Sequence, residues 1–96
     1  MILEHALLDV RPEQVESFER AFSQARPIIE RQRGFVSLRL DRSLDNPARY
    51  LLLVEWERLE DHTEGFRGSA DYATWRTLLH HFYEPMPHVS YFEPVR

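Results

Sequence analysis

Two stretches of this chain are apolar on both parities, and that restricts the fold more than any other feature. In residues 1–10, Ile2, Ala6, Leu8 and Val10 share one side, while Leu3 and Leu7 occupy the other with His5 beside them. In residues 50–57 (YLLLVEWE) the apolar run starts on both parities and closes in Trp56. A strand with two apolar faces must be covered on both sides. Both segments are therefore expected inside a sheet, and the second of them at its centre.

The remaining elements fall between these strands. Pro12 suits a first helical turn. Val15, Phe18, Phe22, Ala25 and Ile29 then recur in steps of three and four, an amphipathic stripe. Pro27 lies inside it and should kink the helix or split off its last turn. Gly34 is a natural stop. Residues 35–42 alternate Val36, Leu38 and Leu40 with Ser37, Arg39 and Asp41, a second strand. Asp45-Asn46-Pro47 is turn chemistry. A short helix is expected over 59–66, loosened at its end by Gly65 and Gly68. Ser69 is a good N-cap for a further helix, striped by Tyr72, Trp75, Leu79 and Phe82 and ended by Pro85 and Pro87. Residues 88–93 form the last strand.

The order β-α-β-β-α-β predicts an α+β, ferredoxin-like domain over 1–96. It has a four-stranded antiparallel sheet with helices on one face. The helices leave the other face open and apolar, which a monomer does not tolerate well. A homodimer through the open sheet face, the two sheets packed together, solves this. A chain of 96 residues that is 43% hydrophobic and 12% aromatic supports the same expectation, because one small core does not easily hide so much.

Charge and composition exclude several functions. The net charge is -4 and the basic residues are dispersed, so neither nucleic acid nor an anionic membrane is an expected partner. There is no cysteine, which removes disulfides, thiolate catalysis and zinc-thiolate sites. Met1 to His5 carries charge at once and lacks a basic leader, so no signal peptide is expected. No apolar run approaches the ~20 residues of a membrane helix. The expected location is the cytoplasm. No glycine-rich phosphate loop, dinucleotide fingerprint or nucleophile elbow occurs, so no cofactor is expected.

The candidate site residues crowd into residues 56–75. His62 and Phe66 are four apart and share a helix face. A neutral imidazole there could take a proton from a phenol or hydroquinone; the alternative is a surface position beside Asp61 and Glu64. Tyr72 and Trp75 are three apart, either core or pocket wall, and a buried phenol seeks a hydrogen-bond partner that a ligand can supply. Trp56 is core, interface or pocket lid. His5 is a pocket group if it faces the helices and an interface group if it faces a second sheet. His80 and His81 are adjacent, so on a helix they diverge by about 100 degrees and do not converge on one metal ion; a role at the helix C-terminus is expected. Arg67 and Arg76 either bind a substrate anion or join solvated ion pairs.

With these residues in view, the chain resembles the antibiotic biosynthesis monooxygenase family in its small, dimeric α/β-barrel form. The resemblance rests on Ile2-Leu-Glu-His5, Arg33-Gly34-Phe35-Val36-Ser37 and the strand from Tyr50 to Trp56. It is strongest over Leu59-Glu-Asp-His62 and Phe66-Arg-Gly-Ser69-Ala-Asp-Tyr72, and Phe82-Tyr83-Glu-Pro85-Met-Pro87-His-Val89 also fits. Members of that family include cofactor-independent oxygenases of quinols and polyketide aromatics, and enzymes that degrade heme. The heme-degrading pattern needs an asparagine on the first strand, a tryptophan and a histidine. Phe66 and Arg76 stand at the last two positions, and the first strand has no asparagine, which argues against heme. The resemblance implies a pocket between sheet and helices for a small aromatic substrate. His62 would assist deprotonation, and His5, Trp56, Phe66, Tyr72 and Trp75 would shape the pocket. The alternative is a non-catalytic small-ligand-binding or stress-response dimer on the same fold.

Overall fold

A computed structural model describes residues 1–95. Strand β1 runs Ile2–Asp9 and helix α1 runs Val15–Glu30 after a single 3-10 turn at Pro12–Gln14. Strands β2, Phe35–Arg42, and β3, Arg49–Trp56, form a hairpin. A π-helical turn at Asp61–Phe66 leads into α2, Ala70–Leu79, then a 3-10 turn at His80–Phe82 and strand β4, Val89–Phe92. The sheet order is β2-β3-β1-β4, antiparallel throughout. The two segments with apolar residues on both parities are the two inner strands, as their pattern requires.

Register decides which side chains meet. Glu4, Ala6 and Leu8 of β1 pair with Val54, Leu52 and Tyr50 of β3, and this whole set is buried under the helices. The other parity, Leu3, His5 and Leu7, pairs with Glu55, Leu53 and Leu51 on the uncovered face. Phe92 of β4 adds to that face opposite Leu3. At the β2 edge the uncovered face turns polar, with an Arg39–Asp41 ion pair of 2.7 Å. The apolar strip therefore crosses β1, β3 and β4 and stops at β2.

The helices are held by aromatic packing. Phe18 of α1 is fully enclosed by Phe22, Tyr50, Phe82 and Tyr83, with ring centroids 4.9 to 5.9 Å apart. Burying a side chain of this size contributes about 1.5–3 kcal/mol. Trp75 links α2 to α1 through Phe22. Pro27 does not split α1, which continues to Glu30. Proline removes one backbone donor from the helix, and burial of Ala25, Ile28 and Ile29 on either side of it holds the last turn in place. Among the described residues no helix is long and apolar enough to cross a membrane.

The turn after β3 is where local sequence matters most. Gly34 has φ +83 and its carbonyl accepts from the Glu57 amide at 2.8 Å. A Cβ built on it would lie 2.0 Å from Asp61 Oδ2. A left-handed glycine here lets the Asp61 carboxylate tuck in and accept from the Arg58 amide at 3.2 Å. The helix expected over 59–66 is a π turn instead, with the Arg67 amide bonded to the His62 carbonyl. Such turns are wider than an α-helix and concentrate at functional sites. Ser69 caps α2 as its type predicts, accepting from the Tyr72 amide and donating to the Phe66 carbonyl.

Candidate functional site

The π turn sets His62 and Phe66 side by side over the covered face of the sheet, ring centroids 6.3 Å apart. Beneath them lies Trp56, stacked on His62 at 5.4 Å and fully buried. Tyr72 and Trp75 of α2 meet the edge of Phe66 at 5.3 and 5.7 Å. His62, Phe66, Tyr72 and Trp75 all line one cavity between sheet and helices, together with Glu4, Arg67, His80 and Met86. The cavity holds about 90 Å³ of water-accessible space. An apolar cavity of roughly 150 Å³ takes a benzene ring. This cavity is smaller, and Met86 and Arg67, both exposed, are among its lining residues.

Two of the expected pocket residues are placed elsewhere. His5 sits on the uncovered face, edge-on to Phe92 at 5.7 Å, and does not line this cavity. Strand parity is the reason: His5 pairs with Leu53 and Ser90 while its neighbour Glu4 takes the covered side. Trp56 does not line the cavity either. It closes the back of the site and anchors Glu4.

Glu4 is the residue that reading the sequence for aromatic and imidazole groups missed. Its carboxylate is buried, and Oε1 accepts from Trp56 Nε1 at 3.0 Å and lies 3.5 Å from His62 Nε2. On its other edge His62 bonds through Nδ1 to the Tyr91 hydroxyl at 2.8 Å. Tyr91 faces the same side because it pairs with Glu4 across β1 and β4. The available signal for Glu4 was its parity, between Ile2 and Ala6 on the helix-covered side.

Burial controls the charge of this cluster. It is the main cause holding the His62 pKa down to about 4, with the nearby Arg67 guanidinium adding to it. Burial also raises the Glu4 carboxyl above the ordinary range, opposed by the Trp56 hydrogen bond and by Arg67. The close approach of Glu4 and His62 is thus no ion pair at neutral pH, since the imidazole there is uncharged. The phenol of Tyr91 is pushed up, chiefly by burial, and stays protonated. A neutral imidazole, a buried carboxyl and a neutral phenol in line form an acid–base chain inside an aromatic box.

Of the remaining candidates, His80 and Arg67 line the cavity, and His81 and Arg76 do not. His80 packs its ring on Tyr72 and Tyr83, and burial holds its pKa below the ordinary value. His81 lies against Phe82, and its backbone carbonyl accepts from Arg11. The two imidazoles diverge as adjacent residues do. Arg76 lies over the Tyr72 ring at 6.0 Å.

Similarity to known proteins agrees with this architecture. The family model for antibiotic biosynthesis monooxygenases matches residues 1–78. The uncharacterised protein YczJ of Bacillus subtilis is 48% identical over 95 residues, covering 99% of this chain and 100% of that one. A crystal structure of a candidate antibiotic biosynthesis monooxygenase from Bordetella bronchiseptica is 38% identical, with a TM-score of 0.93 over 99% of this chain and 97% of its own. SnoaB of Streptomyces nogalater, a cofactor-independent oxygenase, shares the fold at a TM-score of 0.86 and 18% identity, over 99% of this chain and 93% of its own.

Proposed function

Because this chain belongs to the antibiotic biosynthesis monooxygenase family, we propose that it is a cofactor-independent monooxygenase of a small, quinol-like aromatic. One observation carries the reading: a neutral imidazole and a buried carboxyl meet inside a cavity walled by Phe66, Tyr72 and Trp75. The likeness in fold to an oxygenase that works without a cofactor lends support.

The chemistry needs little else. Dioxygen reacts slowly with closed-shell organics for reasons of spin, but an electron-rich phenolate can pass it an electron directly. The enzyme must bind the ring, remove a proton and keep water out. A hydroquinone and dioxygen then give a hydroxyquinone and water. One oxygen atom enters the ring, the other leaves as water, and the substrate supplies every electron. His62 assists the deprotonation, Phe66, Tyr72 and Trp75 hold the ring, and Trp56 braces the site from behind. The limited space favours a single ring over a fused polyketide.

The second part of the proposal is a homodimer through the uncovered sheet face. Leu3, Leu7, Leu51, Leu53 and Phe92 supply its apolar surface, and His5 becomes an interface group. Surfaces of this kind mark association sites.

The test is oxygen consumption by purified protein against a panel of hydroquinones, with autoxidation blanks and His62→Ala alongside. Uptake above the blank that falls at least tenfold in the variant is the expected result. Ligand-induced stabilisation without any oxygen uptake would replace the enzyme with a binding module.

A further inference from the structure

Both ring nitrogens of His62 already face protein groups, and this bears on where a substrate proton goes. Nδ1 meets the Tyr91 hydroxyl at 2.8 Å and Nε2 points at Glu4 Oε1. The Tyr91 hydroxyl can donate or accept, so the other edge of the ring decides: Nε2 faces the Glu4 carboxylate, an acceptor, which leaves Nδ1 to accept the Tyr91 O–H. That places the imidazole proton on Nε2, aimed at the carboxylate. In this tautomer His62 has no lone pair to offer a substrate. Glu4 does: Oε1 takes both the indole and the imidazole contacts, its second oxygen takes neither, and the residue lines the cavity.

We propose that Glu4 is the base that receives the substrate proton, and that His62, fixed by Tyr91, is the positioning residue that orients and steadies the Glu4 carboxylate. The inference rests on the oxygenase reading above and assigns its proton. In the step itself the phenolic O–H of the substrate breaks, a Glu4 O–H forms, and the electron pair stays on the substrate as phenolate. The proton leaves again as product water is made. Carboxylates that are buried, with a pKa held above the ordinary value, suit general-base work. The titratable and charged groups that bear on Glu4 are His62 from the π turn, Arg67 just after it and Tyr91 from β4, with the Trp56 indole from β3 as an uncharged donor. Glu4, the neutral His62 and the Arg67 cation therefore set the acid limb of the rate between them.

The experiment pairs two readouts. The first is the pH profile of oxygen uptake for wild type, Glu4→Gln, Glu4→Asp and His62→Asn, each checked for native circular dichroism. Glu4→Gln should lose at least a hundredfold in rate and its acid limb. Glu4→Asp should keep a reduced rate with the limb intact, and His62→Asn should keep the limb but move it. The second readout needs no turnover: nitrogen-15 NMR of the His62 ring in the resting protein. It should show the proton on Nε2 at pH 7. Wild-type uptake with an equally active Glu4→Gln overturns the role of Glu4 while leaving the oxygenase reading in place. A proton on Nδ1 overturns the Glu4 assignment whether or not any substrate turns over. A wild type inactive on every hydroquinone overturns the oxygenase reading, and with it the base.

Discussion

Glu4 and His5 are neighbours in one strand and have opposite fates. Glu4 lies under the helices, bonded to Trp56 and facing His62. His5 lies on the uncovered face, half-buried against Phe92. Each is a polar residue in an apolar strand, so composition does not separate them. What separates them is the layer above. Under the helices, desolvation shifts the carboxyl and imidazole towards their neutral forms and makes them chemically useful. On the open face the same strand offers a surface for association. One side of this sheet encloses ionisable groups and the other leaves apolar side chains uncovered.

The strongest way to break that comparison is to remove the wall behind the covered face. Trp56→Ala deletes a fully buried indole and removes the indole donor to the Glu4 carboxylate. It should cost about 3–5 kcal/mol in denaturant unfolding. A cost under about 1 kcal/mol would mean that the covered face is not the rigid one.

Acid sharpens the comparison next. His62 has its folded pKa lowered from 6.5 to about 4, so the stability it contributes is full above pH 6.5 and is lost as pH falls towards 4. The loss should be on the order of a few kcal/mol, and His62→Asn should flatten it. Glu4 works with the opposite sign. Its raised folded pKa gives stability that is full below its unfolded value of 4.5 and is lost as pH rises through the folded value. Glu4→Gln should therefore be more stable than wild type at neutral pH while being less active. Urea midpoints measured from pH 4 to 8 for the three proteins separate the two signs.

Gly34→Ala tests the joint that carries the π turn. It forces an L side chain into φ +83 and into the Asp61 carboxylate. A loss of about 1–3 kcal/mol is expected, together with weaker ligand binding, because Asp61 opens the turn that holds His62.

The smallest effect on the folded monomer should come from the open face. Leu53→Arg sits opposite His5 and under no helix. It should change monomer stability by no more than about 0.5 kcal/mol, yet convert a dimer to a monomer in sedimentation velocity. A variant that stays dimeric would show that the two sheets do not meet there.

Much of this was legible in the chain, because the fold depends on periodicity. Two-sided apolar strands at 1–10 and 50–57 became the inner strands, and 35–42 became β2 with the expected bounds, though its register against β3 shifts between Phe35 and Ser37. Ser69 announced its helix because a hydroxyl at that position satisfies free amides. The site was legible as a cluster, since four of the named residues line one cavity. Its chemistry was less so. The Tyr91–His62 bond joins residues 29 apart through strand pairing that no local pattern reveals. The π turn depends on Gly34 making room for Asp61, a tertiary contact. Glu4 was hidden because a lone acid in an apolar strand has no periodic signature of its own. Only parity, once the covering helices are known, makes it a buried group.

The most direct test of the account is turnover with isotopically labelled dioxygen. Purified protein should consume dioxygen with a small hydroquinone above the autoxidation rate and place one labelled oxygen atom in the hydroxyquinone product. Glu4→Gln should abolish the excess, and His62→Ala should lower it at least tenfold. Uptake that matches the blank across the hydroquinone panel, or product that carries no label, would contradict it.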